Sequence, residues 1–287
     1  MNSDELSFAF DELNQDDLTV IAPGKRGISE EMWSAYLSTI SDSKLLEVAK
    51  EVKKKTLYAD WDTFTAMLHE SFNDFKSAVS ADSNIKIVLP SKFSSEHILV
   101  GLLWKEIKEL KFAGFITCET KAEDGDVVLM IDDAMYSGHH AMHALDMISF
   151  SNHKNTSFEF HAVIPYTSKM AKEQLINDVM TQAKKVVVHS RVEMDVIEVP
   201  EELALNPEYM FGILHLTPLY FDHKVAGSCS TFTSIYLFGI PSFGMILPIK
   251  PDTDIKQRVY DEYFEDITKP PTFGNHIFGV HEDEDMF

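Results

Sequence analysis

Between residues 84 and 190 short apolar runs alternate with helix-like stretches, and this alternation restricts the fold more than any other feature of the chain. The runs are "IKIVLP", "FAGFITCE", "DVVLMI", "FEFHAVIPY" and "KKVVVHS". Between them stand "SSEHILVGLLWKEIKEL", "HHAMHALDMISF" and "KMAKEQLINDVMTQA", whose apolar residues recur at three- and four-residue spacing. Only "TKAEDG" separates the second run from the third, and it reads as a tight connection. Strands that alternate with helices are joined by crossovers, and crossovers place helices over the sheet. The pattern therefore predicts an α/β fold: a mostly parallel sheet with helices on both faces.

The flanks differ in character. Residues 1–28 read as an irregular acidic lead-in that closes on "APGKRG". Residues 29–80 read as a helical region packing on the core, with Ser29 as N-cap and acids in the first turn. Within it, Phe64, Met67, Leu68, Phe72 and Phe75 share one helical face, the signature of core packing. Residues 81–190 are the α/β core. From 191 to 287 the alternation stops, and turn signals, aromatics and short β-like runs predict a cap or hood and an acidic tail.

Charge narrows the range of partners. The formal net charge is −21, a surface that repels phosphate backbones and anionic membranes. Nucleic acid and membrane are therefore not expected partners. Backbone amides at a helix start still act locally on a small anion. The two cysteines, Cys118 and Cys229, make neither a disulfide framework nor a zinc site. They read as buried thiols in a reducing compartment, with the cytoplasm as default. The acidic N-terminus lacks the basic and apolar regions of a signal peptide, and no apolar run reaches the length of a membrane span.

The chemistry concentrates in "DVVLMIDDAMYSGHHAMHAL", Asp126 to Leu145. A five-residue apolar run ends in Asp132 and Asp133, and burying carboxylates is costly unless something answers them. Ligands of open parallel sheets bind beyond the carboxyl ends of the strands, where these acids fall. Ser137, Gly138 and His139 then open a helix. Gly138 permits close backbone approach or a positive φ, and the amides of residues 136–140 with the Ser137 hydroxyl form a phosphate cradle. The carboxylates accept from ribose hydroxyls or hold Mg2+ through water. Two other readings compete. The first is a strand-to-helix turn with aspartate caps. The second is a metal site using His139 and His143, spaced i, i+4 beside the aspartates but without the glutamate of an H-E-x-x-H motif. His161 and His189, within strands, read as satisfied core or edge histidines.

Apolar residues, two acids, three variable positions, then Ser and Gly resembles the phosphoribosyl pyrophosphate motif of type I phosphoribosyltransferases, here "VLMI-DD-AMY-SG-HH". The resemblance implies that family's α/β core. It implies Asp132 and Asp133 on the ribose 2′ and 3′ hydroxyls, as catalytic and water-mediated Mg2+ groups, with Tyr136, Ser137, Gly138, His139 and His140 around the 5′-phosphate. The loop "PSKFSSEH" stands where the family meets pyrophosphate, which implies Lys92, Ser94 and Ser95 as anion contacts. "LTPLYFDHKVAGSCSTF", Leu216 to Phe232, resembles the downstream segment of phosphoribosyltransferase-like proteins of conflict systems and large viruses, which brings Asp222, His223 and above all Lys224 to the ligand mouth. A small-molecule sugar phosphate or nucleotide is the implied partner, and a homodimer the implied assembly. Three functions stay open: Mg2+-dependent phosphoribosyl transfer, a catalytically inactive regulatory or interaction module of the same fold, and a metal-dependent hydrolase using the Asp/His cluster.

Overall fold

A computed structural model describes residues 30–38, 40–89, 95–117, 121–136, 138–151, 157–177, 183–198, 200–201, 215–216 and 219–221. The lead-in 1–28, both cysteines and most of the segment after 201 lie outside the described residues. The chain divides into two compact units. The first takes residues 62–193 from the described part, and the second takes 30–61 and those from 194 onward.

The first unit is built on five parallel strands: β2 (Ile85–Val88), β3 (Phe112–Ile116), β4 (Val127–Ile131), β6 (Glu159–Val163) and β8 (Lys185–His189). They lie in the order β3-β2-β4-β6-β8, and every adjacent pair is parallel. This is the α/β class expected from the alternation. The most buried strand, β4, is the run "VVLMI", with all five residues buried as a strand covered on both faces requires.

The tight connection "TKAEDG" has a larger task than its length suggests. β3 and β4 flank β2 on opposite sides and both run parallel to it, so the connection between them has to pass β2 and return to the start of the sheet. A lateral move of two strand spacings, about 10 Å, plus a return of about 16 Å lies within the roughly 33 Å that ten extended residues reach. No helix is required. On the edge, the pairing of β2 with β3 slips between Ile85 and Lys86. Gly114 sits at that slip with φ 126°, a conformation that L side chains rarely adopt.

Period-2 alternation divides the sheet residues between two cores. Val128, Met130, Phe160, Ala162 and Val188 pack on one face with Ala141, Leu145 and Ile148 of α5 (His139–Ser151) and Ala171 and Leu175 of α6 (Lys169–Ile176). The other face meets α3 (Trp61–Ala78) and α4 (Ser95–Ile107). Phe64, Leu68, Phe72 and Phe75 of α3 are all fully buried, as the aromatic stripe predicts, while Met67 is only half-buried. The Phe75 ring stands edge-on to His161 of β6 and His189 of β8. Trp104 of α4 packs on Phe112 and Phe115 of the edge strand.

The run "FEFHAVIPY" divides. β6 stops at Val163, and Tyr166–Ser168 forms a separate strand, β7, in a small side sheet with β5 (Ala134–Met135) and β9 (Val192–Met194). Pro165 has no N–H to donate, so one continuous ladder cannot pass through it. Its carbonyl instead accepts from the amides of Arg191 and Val192 at 3.0 and 2.9 Å.

The second unit holds α1 (Glu30–Ser38), α2 (Ser43–Lys55) and short strands. Asp42 caps α2 by accepting from the amides of Lys44 and Leu45. β1 (Leu57–Ala59), in a stretch read as helical, pairs in parallel with β12 (Leu219–Phe221). β10 (Ile197–Glu198) pairs antiparallel with β11 (His215–Leu216). No helix among the described residues is long and apolar enough to cross a membrane.

Candidate functional site

All five strands of the main sheet run the same way, so their carboxyl ends lie along one edge. Asp132 and Asp133 follow β4 there, 6% and 1% exposed. The Asp132 amide continues the ladder by donating to the Val163 carbonyl at 3.2 Å. The Asp133 amide donates to Oδ1 of Asp132 at 2.8 Å, which fixes the first carboxylate at the strand end.

The turn beyond the acids is held from the neighbouring strand. Ser168 Oγ donates to the Tyr136 carbonyl at 2.6 Å. The same oxygen accepts from the Ala171 amide at 3.1 Å, so it also caps α6. Gly138 has φ 78°, and a Cβ there would stand 3.0 Å from the Ala171 carbonyl oxygen. Glycine is therefore required twice, by its conformation and by the close approach of the two backbones. Met142 donates its amide to the Gly138 carbonyl at 2.8 Å, and α5 proceeds from that bond.

Two further side chains reach the same edge from helix starts. Glu96 lies in the first turn of α4 and is 5% exposed. His140 lies in the first turn of α5, with its side chain more than half exposed. Its Nδ1 stands 3.2 Å from Asp132 Oδ2 and its Nε2 3.6 Å from Glu96 Oε1. One ligand atom from each of Glu96, Asp132 and His140 lies within 4.8 Å of the others. The partly positive N-termini of α4 and α5 favour carboxylates here, and a cation or hydroxyl donors complete the compensation that buried carboxylates need. Beside Glu96, His97 is buried. Its pKa is depressed to about 4 by that burial, against the pull of Glu96, so it stays neutral at pH 7.

Of the residues singled out in the sequence, Asp132, Asp133, Tyr136, Gly138 and His140 come together at this edge. Ser137, Lys92, Ser94 and Lys224, with Asp222 and His223, lie outside the described residues, as do the side chains of Ser95 and His139. His143 is exposed one turn into α5. His161 and His189 lie elsewhere in the sheet, buried against each other with Nδ1 of His161 2.9 Å from Nε2 of His189.

Glu96 and Ser168 were not singled out. Each carried a local signal. Glu96 is an acid in the first turn of a helix that follows the first core strand, which directs it to the same edge as the aspartates. Ser168 immediately precedes "KMAKEQLI", the position of an N-cap.

The Asp132 and Asp133 pair by itself suits a hard divalent ion. Two buried neighbouring carboxylates offer the oxygen ligands that Mg2+ takes, directly or through water.

No protein-family model and no curated protein matches the chain. Several solved structures are similar to part of the chain at low overlap. The APRTase from Giardia lamblia complexed with 9-deazaadenine is 10% identical over 45% of this chain and 79% of its own, with a TM-score of 0.30. The Helicobacter pylori xanthine-guanine-hypoxanthine phosphoribosyltransferase is 12% identical over 47% of this chain and 85% of its own, at 0.29. The HGPRT-ase from Leishmania tarentolae in complex with GMP is 11% identical over 62% of this chain and 86% of its own, at 0.25. These are likenesses at low overlap, and the α/β architecture of this chain rests on its own strand order.

Proposed function

We propose that this chain binds phosphoribosyl pyrophosphate or a related ribose-5-phosphate or nucleotide ligand at the carboxyl end of β4. In this reading Asp132 and Asp133 accept from the ribose 2′ and 3′ hydroxyls, and residues 136–140 surround the 5′-phosphate. The observation that carries it is the succession of two buried adjacent carboxylates and a positive-φ glycine at a helix start. Lys92, Ser94, Ser95 and Lys224 are proposed anion contacts on the strength of the motif resemblance alone. The segment from 191 onward is proposed as the hood over the base.

Phosphoribosyl transfer is the activity this ligand implies. Mg2+, when bound, supplies charge neutralisation at the leaving pyrophosphate, with Asp132 and Asp133 holding it through water. The protein's own contribution is positional. Carboxylates fixed at a strand end orient the ribose ring, and backbone amides at the helix start hold the phosphate without reorganising. No covalent intermediate with the chain is needed.

One observation favours a second reading, a catalytically inactive binder of the same ligand class. The His140 imidazole stands 3.2 Å from Asp132 and 3.6 Å from Glu96, so it already occupies one side of a carboxylate that this reading gives to the ribose. Calorimetric titration with phosphoribosyl pyrophosphate and Mg2+ tests the binding itself. Wild type is expected to give saturable heat that Asp132→Asn/Asp133→Asn abolishes, and identical heats from the two would overturn the reading. Pyrophosphate release with a panel of bases then separates the two forms, because an inactive binder releases none.

A further inference from the structure

We propose that Glu96, Asp132 and His140 form a direct binding site for a borderline divalent ion such as Zn2+ or Co2+. The site shares Asp132 and His140 with the sugar-phosphate reading but does not depend on it, because no sugar phosphate is needed to complete it.

The argument begins with where the three side chains come from. They are carried by three separate elements: the first turn of α4, the carboxyl end of β4 and the first turn of α5. The parallel order of the sheet brings all three to one edge, and each is anchored on regular structure. Such anchoring keeps donors in place without a metal to gather them.

The second step is spacing. One donor atom from each residue lies within 4.8 Å of the others. Donors around a single ion with bonds of about 2.0 to 2.2 Å are roughly 3 to 4 Å apart, so a cation can draw the three together by small side-chain movements. Asp132 Oδ1 is fixed by the Asp133 amide, and Oδ2 is the oxygen that faces the imidazole. Three protein ligands from a partly exposed edge leave coordination positions for water or a ligand, the pattern of an open metal site.

The third step is the chemistry of the donor set. Two carboxylates alone would suit Mg2+ or Ca2+, which prefer oxygen. An imidazole nitrogen moves the preference to borderline ions such as Zn2+ and Co2+, while Mn2+ keeps to oxygen donors. Burial favours occupancy: Glu96 and Asp132 are nearly inaccessible to water, so an ion held between them and the imidazole answers two desolvated charges at once. His140 is the exposed member, which leaves a route of entry.

The test uses the full-length chain, stripped with a chelator and given metal alone. Competition with a chromophoric chelator is expected to return one site per chain. Affinity should fall in the order Zn2+, Co2+, Mn2+, with Mg2+ weakest. Co2+ should develop a visible absorption spectrum typical of nitrogen and oxygen ligation. His140→Ala and the nearly isosteric Glu96→Gln should each weaken Zn2+ binding at least about tenfold, because second-shell losses alone reach that size. Metal should also raise the melting temperature of the wild type but not of His140→Ala, a readout that stands even where a variant is less stable. His143→Ala, one turn along α5 on an exposed position, should bind as the wild type does. Equal affinity for Mg2+ and Zn2+, or wild-type affinity in both His140→Ala and Glu96→Gln, would overturn the assignment and make any binding adventitious. Phosphoribosyl pyrophosphate is absent throughout, so failure here leaves the sugar-phosphate reading to its own titration.

Discussion

Acid should unfold this protein partly through one pair of histidines, and His189→Gln should remove the share that His189 contributes. His161 and His189 sit on adjacent strands with rings stacked 5.2 Å apart, and the edge of Phe75 closes over both. His161 Nε2 stands 3.4 Å from a Glu159 carboxylate oxygen, which assigns its proton to Nε2. Its Nδ1 then accepts, and His189 Nε2 donates across the 2.9 Å between them. The neutral pair is satisfied, and an added proton enters a buried site. Burial, and then His161, depress the pKa of His189 from 6.5 to about 4, assisted by Lys185 and Lys172 and opposed by Asp74. Burial also lowers His161, opposed by its bond to Glu159.

The sign follows from proton counting. Between pH 6.5 and 4 the unfolded chain binds a proton at His189 that the folded chain does not, so stability falls as pH falls through that window. A difference of about 2.5 units at 1.36 kcal/mol each gives roughly 3 kcal/mol once pH is below 4, and about 2 kcal/mol of it is already lost at pH 5. Urea unfolding at pH 7.5 and pH 5 measures this, provided the slope m stays constant. The carboxylates shared by both proteins cancel in the comparison. Wild type should lose about 2 kcal/mol more than His189→Gln between the two pH values. Equal losses would refute both the depressed pKa and the burial that causes it.

Three further changes probe the frame, two of them at the site and one at the amino end of β4. Gly138→Ala should cost at least about 1 to 2 kcal/mol in urea unfolding, because φ is 78° and the new Cβ stands 3.0 Å from the Ala171 carbonyl oxygen. Ser168→Ala removes the α6 cap and the bond to the Tyr136 carbonyl, and should cost about 1 to 2 kcal/mol by the same assay. Lys86→Met strips the Asp126 carboxylate, 1% exposed, of an ammonium at 2.8 Å, and should lower stability by about 3 kcal/mol, with the unfolding midpoint as readout.

The parallel core was legible in the sequence because buried strands leave uninterrupted apolar runs, and "VVLMI" is one of them. The division of "FEFHAVIPY" was harder to see. Its apolar residues continue past Val163, and only Pro165 marks where the ladder must stop. β1 was hidden for a different reason: three residues pair with a partner about 160 positions away, and no local period records such a contact. In the site, Asp132 and Asp133 stood out because adjacent acids after an apolar run are costly. Glu96 did not, since acids in a first turn are common, and only the strand order brings it to His140. His140 was expected to face a phosphate, and its imidazole stands at two carboxylates. That proximity depends on the parallel strand order, which brings the first turns of α4 and α5 to one edge of the sheet, and spacing along the chain does not encode it.

A crystal structure of the protein with phosphoribosyl pyrophosphate and Mg2+ tests the central claim most directly. The account predicts ribose hydroxyls within hydrogen-bond distance of the Asp132 and Asp133 carboxylates, with the 5′-phosphate at the turn formed by residues 136–140. A ligand bound elsewhere on the chain, with Asp132 still facing His140 and no sugar at the carboxyl end of β4, would contradict it.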